Sequence, residues 1–220
     1  RELMTREGAY FTNDDQTERL RGLLFNSEGG MVTSTVGKPA ITLAAMAGFA
    51  VPPGTRVLVA PLNRVGREEP LSREKLTTVL GWYEADGWEA GCERCIELIQ
   101  FGGRGHSLVI HATDENVIMA FGLEKPVFRI AVNTMSTLGA IGLTTGVSPS
   151  LTLGAGGVGG SITGDNVTTY HLFNVKRLAY ETTPPPPAAL SPGAAPQGIS
   201  PEEIERVVRS VVQEILTLKH

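Results

Sequence analysis

This sequence predicts an α/β fold, a largely parallel sheet with flanking helices, followed by a proline-rich linker and an amphipathic C-terminal helix. Three observations carry that expectation. Over residues 1–181, short β-branched runs bounded by glycine or proline alternate with longer helical stretches, the pattern of successive βαβ units. Composition then breaks at Thr182, where Pro184 to Pro187 open a tract suited to an extended, solvated tether rather than a core. Beyond it, apolar residues recur at three- and four-residue spacing from Ile204 to Leu218.

Taken in order, residues 17–27 are predicted helical, with Leu20, Leu23 and Leu24 on one side and turn residues after them. Residues 38–48 form a second, alanine-rich helix that ends on Gly48, a common stop signal. Residues 55–60 read as a buried strand between Pro53-Gly54 and Pro61. Residues 76–83 are extended, 89–101 helical, 107–112 a strand, 114–121 a helix and 127–132 a strand.

The tail divides into a linker over 182–199 and a helix over 200–218. Ser200 is placed to cap that helix, Pro201 suits its first position, and Glu203 stands where a capping box needs it. Ile204, Val207, Val208, Val211, Val212, Ile215 and Leu218 make one apolar stripe opposite Glu205, Arg206, Arg209, Ser210 and Gln213. An isolated helix of this length is marginal in water, so the stripe must be buried against its own domain, a second copy or a partner protein.

Composition excludes several classes of function. Hydrophobic residues make up 41% and charged residues 19%, as in ordinary globular proteins rather than disordered ones. The 19 basic residues are scattered and the net charge is −4, so the footprint for nucleic acid or anionic lipid is missing. No apolar run approaches the roughly 18 residues of a membrane span, and Arg1-Glu-Leu-Met4 lacks a signal-peptide layout, which predicts a cytoplasmic protein. Cys92 and Cys95 lack the further ligands a zinc site needs, and their spacing puts both on the buried side of a helix with Ile96 and Ile99. They read as core cysteines, and no metal is expected.

The glycine-rich run from Pro149 to Asn166 contains Gly154-x-Gly156-x-x-Gly159, the spacing of a dinucleotide-binding turn. That turn works only when a helix follows, whereas Ser161 to Thr169 is rich in β-branched and turn residues. A phosphate-binding loop would also need a P-loop lysine, which is absent. The run is therefore expected to be a tight loop packed against a neighbouring element.

Read in series, Gly102-Gly-Arg-Gly-His106, Ile110-His111, Arg129-Ile-Ala-Val-Asn133, Gly139-Ala-Ile-Gly142, Pro149 to Gly154, Gly159-Gly160, Asp165-Asn-Val167 and Leu172-Phe-Asn-Val-Lys176 resemble one family. The chain is similar to the C-terminal part of the catalytic domain of CoA-acylating aldehyde dehydrogenases, above all the propionaldehyde and acetaldehyde dehydrogenases of bacterial microcompartments. The resemblance covers residues 1–181.

That resemblance implies oxidation of a short aliphatic aldehyde to its acyl-CoA with NAD and coenzyme A, through a cysteine thioester. It implies that the nucleophilic cysteine and the cofactor domain lie upstream of Arg1, in a missing N-terminal half, and that this chain alone is inactive. Glu74 matches the glutamate that binds the nicotinamide ribose in relatives, with Leu76 where the family at large has phenylalanine and Thr78 where it has proline. Asn133, Thr134, Met135 and Thr137 match the aldehyde pocket. Residues 172–180 match an oligomerisation strand, implying a homo-oligomer with His171 near a subunit contact. The C-terminal helix is similar to the tethered peptides that direct enzymes to a microcompartment shell protein, with Ile204, Val207, Val208, Val211, Ile215 and Leu218 as the binding face and the compartment lumen as its destination. His106 and His111, flanking a strand, are expected to be hydrogen-bonded structural residues. The alternative is a non-catalytic module whose α/β scaffold presents the C-terminal helix to a partner.

Overall fold

The computed structural model describes residues 1–185 together with Ser200, Glu205, Arg206 and Arg209. Contacts divide the chain into two units, Arg1–Phe173 and Asn174–His220.

The first unit opens with α1 (Glu2–Arg6), β1 (Ala9–Phe11), α2 (Asp14–Leu24), α3 (Ala40–Met46), β2 (Val57–Pro61) and β3 (Val79–Trp82). The strands lie side by side in the order β1-β2-β3, all parallel, with Tyr10 opposite Leu58 and Leu58 opposite Val79. Asn13 starts α2 by accepting the Gln16 backbone N–H at 2.9 Å while the Gln16 side chain accepts from the Asn13 N–H, a closed capping box. Leu20, Leu24, Leu43, Leu58, Leu71 and Val79 are buried in the core beneath the sheet, and each such side chain contributes about 1.5–3 kcal/mol by leaving water.

The rest of this unit continues through α4 (Gly87–Phe101), β4 (Gly105–Ile110), α5 (Glu115–Glu124), β5 (Val127–Val132) and α6 (Ser136–Ala140). β4 and β5 form a second, two-stranded parallel sheet, with Ser107 opposite Arg129 and Ile110 opposite Val132. Asp114 caps α5, the crossover between them, by accepting the Asn116 N–H at 2.9 Å. Cys92, Ile110 and Phe121 centre a smaller core there.

The α/β architecture and parallel pairing are as expected, but the strands form two sheets rather than one. Helix α2 begins three residues before the expected start because Asn13, not a later residue, is its cap. It stops at Leu24 because Phe25 turns extended (φ −128°, ψ 139°) and the Asn26 side chain then takes the Glu28 and Gly30 N–H groups. The short elements α1, β1 and α6 carry too few residues for a periodicity to register.

Residues 172–180 are not a strand in this chain. Thr169–Leu172 is a 3₁₀ turn, and the residues after it are exposed and without regular structure. The reason is physical: a strand persists only where another edge takes its backbone groups. In the second unit Glu205, Arg206 and Arg209 are helical, and Arg209 pairs with Glu205 at 2.7 Å, one turn apart. The apolar stripe itself (Ile204, Val207, Val208, Val211, Ile215, Leu218) and most of the 182–199 linker lie outside the described residues.

Candidate active-site cleft

The glycine-rich run folds back on itself, closed by a bridge between Leu153 and Asn166. It starts no α-helix, only a 3₁₀ turn at Gly157–Gly159. A buried cation holds it. Arg129, 6% exposed on β5, donates through Nη2 to the Gly154 and Gly164 carbonyls at 2.7 Å each, through Nε to Asn166 Oδ1 at 2.5 Å and through Nη1 to the His106 carbonyl at 3.1 Å. Burial pulls the Arg129 guanidinium below its ordinary value, and Asp165 partly offsets this.

Glycine lets the loop lie directly on the start of β4. A Cβ at Gly105, whose φ is +77°, would stand 1.8 Å from the Ala155 carbonyl oxygen, and one at Gly159 would stand 2.4 Å from that of Arg104. Two backbones are in contact there, which only glycines permit.

This contact forms one wall of a cleft of about 750 Å³, lined also by Arg73, Glu74, Phe101, Gly102, Gly103 and His106. The opposite wall is set by the 3₁₀ turn Pro70–Ser72, where Glu69 caps by accepting the Leu71 N–H at 3.3 Å and Leu71 is fully buried. Glu69 is itself held by both nitrogens of an Arg21 fork, at 3.0 and 2.6 Å. The chain leaves this anchor extended and presents Glu74 at the cleft. Its carboxylate is exposed and accepts no hydrogen bond from any described residue. Leu76 is 62% exposed and does not line the cleft; its carbonyl accepts the Gly37 N–H at 2.9 Å. Between them Lys75 donates to the Leu71 and Arg73 carbonyls at 2.5 and 3.0 Å, and burial lowers its pKa to about 8 against the opposing pull of Glu69.

The four residues matched to the aldehyde pocket follow β5 at its C-terminal end and do not line the Glu74 cleft. Asn133 has φ 53°, and its amide is used structurally: Nδ2 donates to the Ala112 carbonyl at 2.8 Å and Oδ1 accepts the Ala112 N–H at 3.0 Å. It clamps the ends of β4 and β5. Thr134 bonds Thr144 through their hydroxyls at 2.7 Å, while Met135 and Thr137 are exposed.

His106 and His111 do not match the expectation of hydrogen-bonded structural residues. Both side chains are exposed, neither ring bonds a described residue, and His106 lines the cleft. His171 Nδ1 accepts the Thr168 N–H at 3.0 Å. Cys92 is buried on α4 as expected and Cys95 is half-buried beside it; neither lines the cleft. Among the described residues no cluster of three or more His, Cys, Asp or Glu could hold a metal, and no helix is long and apolar enough to cross a membrane.

Sequence reading missed Arg129, Asn166 and Lys75. Arg129 left a signal, since an arginine inside Val127-Phe-Arg-Ile-Ala-Val132 is buried only when fully partnered. Lys75 left none, because its burial depends on the turn at Glu69.

No family model matches the chain. An aldehyde-alcohol dehydrogenase of Streptococcus pneumoniae is 38% identical over a 178-residue alignment that covers 77% of this chain and 20% of that protein. The crystal structure of an acetylating aldehyde dehydrogenase from Geobacillus thermoglucosidasius superimposes with a TM-score of 0.80 at 42% identity, covering 84% of this chain and 41% of that one. Over most of its length this chain is homologous to a segment of acylating aldehyde dehydrogenases. A propionaldehyde dehydrogenase from the Clostridium phytofermentans fucose utilisation bacterial microcompartment extends the likeness, with a TM-score of 0.63 at 25% identity over 74% of this chain and 37% of that one. The chain thus spans from about a fifth to two fifths of the dehydrogenases it matches.

Proposed function

We propose that this chain is the rear portion of the catalytic domain of an enzyme converting a short aliphatic aldehyde to its acyl-CoA with NAD and coenzyme A. On this reading the nucleophilic cysteine and most cofactor contacts come from a preceding segment, and the chain is inactive without it. The observation that carries the reading is Glu74: a carboxylate that accepts no hydrogen bond from any described residue, on the rim of a cleft whose far wall is the glycine-rich loop packed on the start of β4. Homology over only a fifth to two fifths of its relatives supports the dependence on further chain, as does the absence of Cys92 and Cys95 from the cleft lining.

The residues present fit a dinucleotide at one point. A carboxylate accepts two hydrogen bonds side by side, which suits the vicinal hydroxyls of a ribose. Glu74 would hold that ribose, and NAD, when bound, supplies the hydride acceptor. Lys75, tied to the Leu71 and Arg73 carbonyls just before Glu74, holds the segment that carries the carboxylate, and the Arg129-anchored loop keeps the opposite wall rigid. The described residues single out no seat for coenzyme A.

Thr134, Met135 and Thr137 are proposed to wall the aldehyde pocket, since parallel α/β sheets gather ligand-binding residues beyond the C-terminal ends of their strands. Asn133 contributes by fixing where that segment leaves β5. The domain plan extends this reading: catalytic-domain segment over 1–181, linker over 182–199, and a helix over 200–218 that docks on a shell protein within a microcompartment lumen. Microcompartment origin of one structural relative supports that destination. Leu172, Phe173, Val175, Leu178 and Tyr180, all exposed, are proposed to be covered in a homo-oligomer.

The test is steady-state kinetics of the protein with its preceding segment. Glu74→Gln should raise the KM for NAD about tenfold, equivalent to ~1.4 kcal/mol, and leave the KM for coenzyme A unchanged. Equal KM values for NAD in the two proteins would refute the role of Glu74.

A further inference from the structure

The smaller core contains a polar group that the dehydrogenase reading does not use. Lys125, which follows α5, is 5% exposed, and its Nζ donates to the Sγ of Cys92, itself 4% exposed. The Cys92 thiol also stands 3.3 Å from Glu124 Oε2, and the Lys125 Nζ lies 4.1 Å from the centre of the Phe121 ring. Among the described residues Lys125 forms no ion pair with a carboxylate. Burying an amine costs several kcal/mol without a strong polar partner, and here its polar side-chain partner is a thiol.

We propose that Cys92 and Lys125 form an oxidative modification site, in which peroxide joins the sulfur of α4 covalently to the nitrogen that follows α5. The Cys92 sulfur and the Lys125 nitrogen are the two nucleophiles, the first reacting as thiolate and the second as amine once its ammonium has lost a proton. Thiolate attacks one oxygen of hydrogen peroxide, giving sulfenic acid, and the departing hydroxide takes a proton from the ammonium as water. The amine so freed attacks the sulfur; the S–O bond breaks, an S–N bond forms, and the leaving hydroxide removes the second N–H proton as water. In sum, one thiol, one amine and one peroxide give one sulfenamide and two waters; sulfur is oxidised by two electrons and peroxide reduced by two. Condensation of sulfenic acid with nitrogen is established cysteine chemistry.

Geometry selects the lysine over the neighbouring cysteine. Cys92 and Cys95 are three apart on one helix, which sets their Cβ atoms about 5–6 Å apart, whereas a disulfide needs about 3.5–4.5 Å. Burial also pushes the Cys95 thiol up, making it the poorer competitor. The amine is in contact already.

Peptide mapping by mass spectrometry of the full chain after hydrogen peroxide treatment tests this. The expected result is a linked pair of peptides carrying Cys92 and Lys125, lighter by two hydrogens than their sum and separated again by dithiothreitol. Cys95→Ser should retain the link, while Cys92→Ser and Lys125→Met should each lose it. A Cys92–Cys95 disulfide, Cys92 recovered only as sulfinic or sulfonic acid, or Cys92 unmodified while Cys95 oxidises would each overturn the proposal. The mapping of the unmutated chain and of Cys95→Ser decides the matter even if the Lys125 variant fails to fold.

Discussion

Arg129 donates to Asn166 at 2.5 Å, and Asn166 passes the restraint on by donating to the Ala140 carbonyl at 2.9 Å and the Ser148 carbonyl at 2.7 Å. Two buried side chains thereby tie β5, the end of α6 and both arms of the glycine-rich loop together. Arg129→Met would leave the Gly154, Gly164 and Asn166 oxygens without their donor. The expected loss is about 3–5 kcal/mol of stability. Hydrogen exchange should accelerate at residues 154–166 before it does in the sheet of β1 to β3.

Glycine positions that look alike in sequence should behave in opposite ways. Gly105→Ala would place a methyl group 1.8 Å from the Ala155 carbonyl oxygen at a φ of +77°, so it should cost about 3 kcal/mol or more. Gly22→Ala, inside α2 and with open space around the new methyl, should instead stabilise by about 0.5–1 kcal/mol. Denaturant midpoints of the two variants make the comparison.

Glu69 is buried and balanced by the Arg21 fork. Arg21→Met removes one partner and strands a charge, which should destabilise by about 3–5 kcal/mol. Because Glu69 caps the turn before Glu74, the same variant should loosen residues 70–75, read by limited proteolysis.

Lys75 gives a pH signature. Its pKa in the folded chain is about 8, against an ordinary 10.5. Below pH 8 both states hold the proton and the burial penalty is at its full size. Between about 8 and 10.5 the unfolded chain binds more protons than the folded one, so stability rises with pH, by up to about 3 kcal/mol. Tyr83 acts the other way, since burial raises it to about 12 and stability falls as pH passes its ordinary value of 10. Unfolding at pH 7.5 and about 9.5 should therefore show the Lys75 rise alone, and Lys75→Met should abolish it.

Most of the first unit was legible because its elements are amphipathic at their own period. Leu20 and Leu24 on α2, and Val127 to Val132 on β5, announce themselves by spacing. The loop was legible in a negative sense: no helix could follow Gly159, so the run had to pack on something. What it packs on, Gly105 and Arg104, could not be read, because two distant glycines meet only in three dimensions. Asn133 illustrates the same limit, since its partner Ala112 is 21 residues away and its side chain serves the backbone. His106 and His111 flank a strand, but their rings turn outward, and a strand's alternation does not say which way its end residues face.

The central claim is that this segment supplies a ribose-binding carboxylate to an active site completed by preceding chain. The decisive measurement is CoA-dependent NADH formation from propionaldehyde, comparing residues 1–220 alone, the protein with its preceding segment, and Glu74→Gln in the latter. The account predicts turnover only when the preceding segment is present and an increased KM for NAD in the variant. Turnover by residues 1–220 alone, or an unaltered KM for NAD in Glu74→Gln, would contradict it.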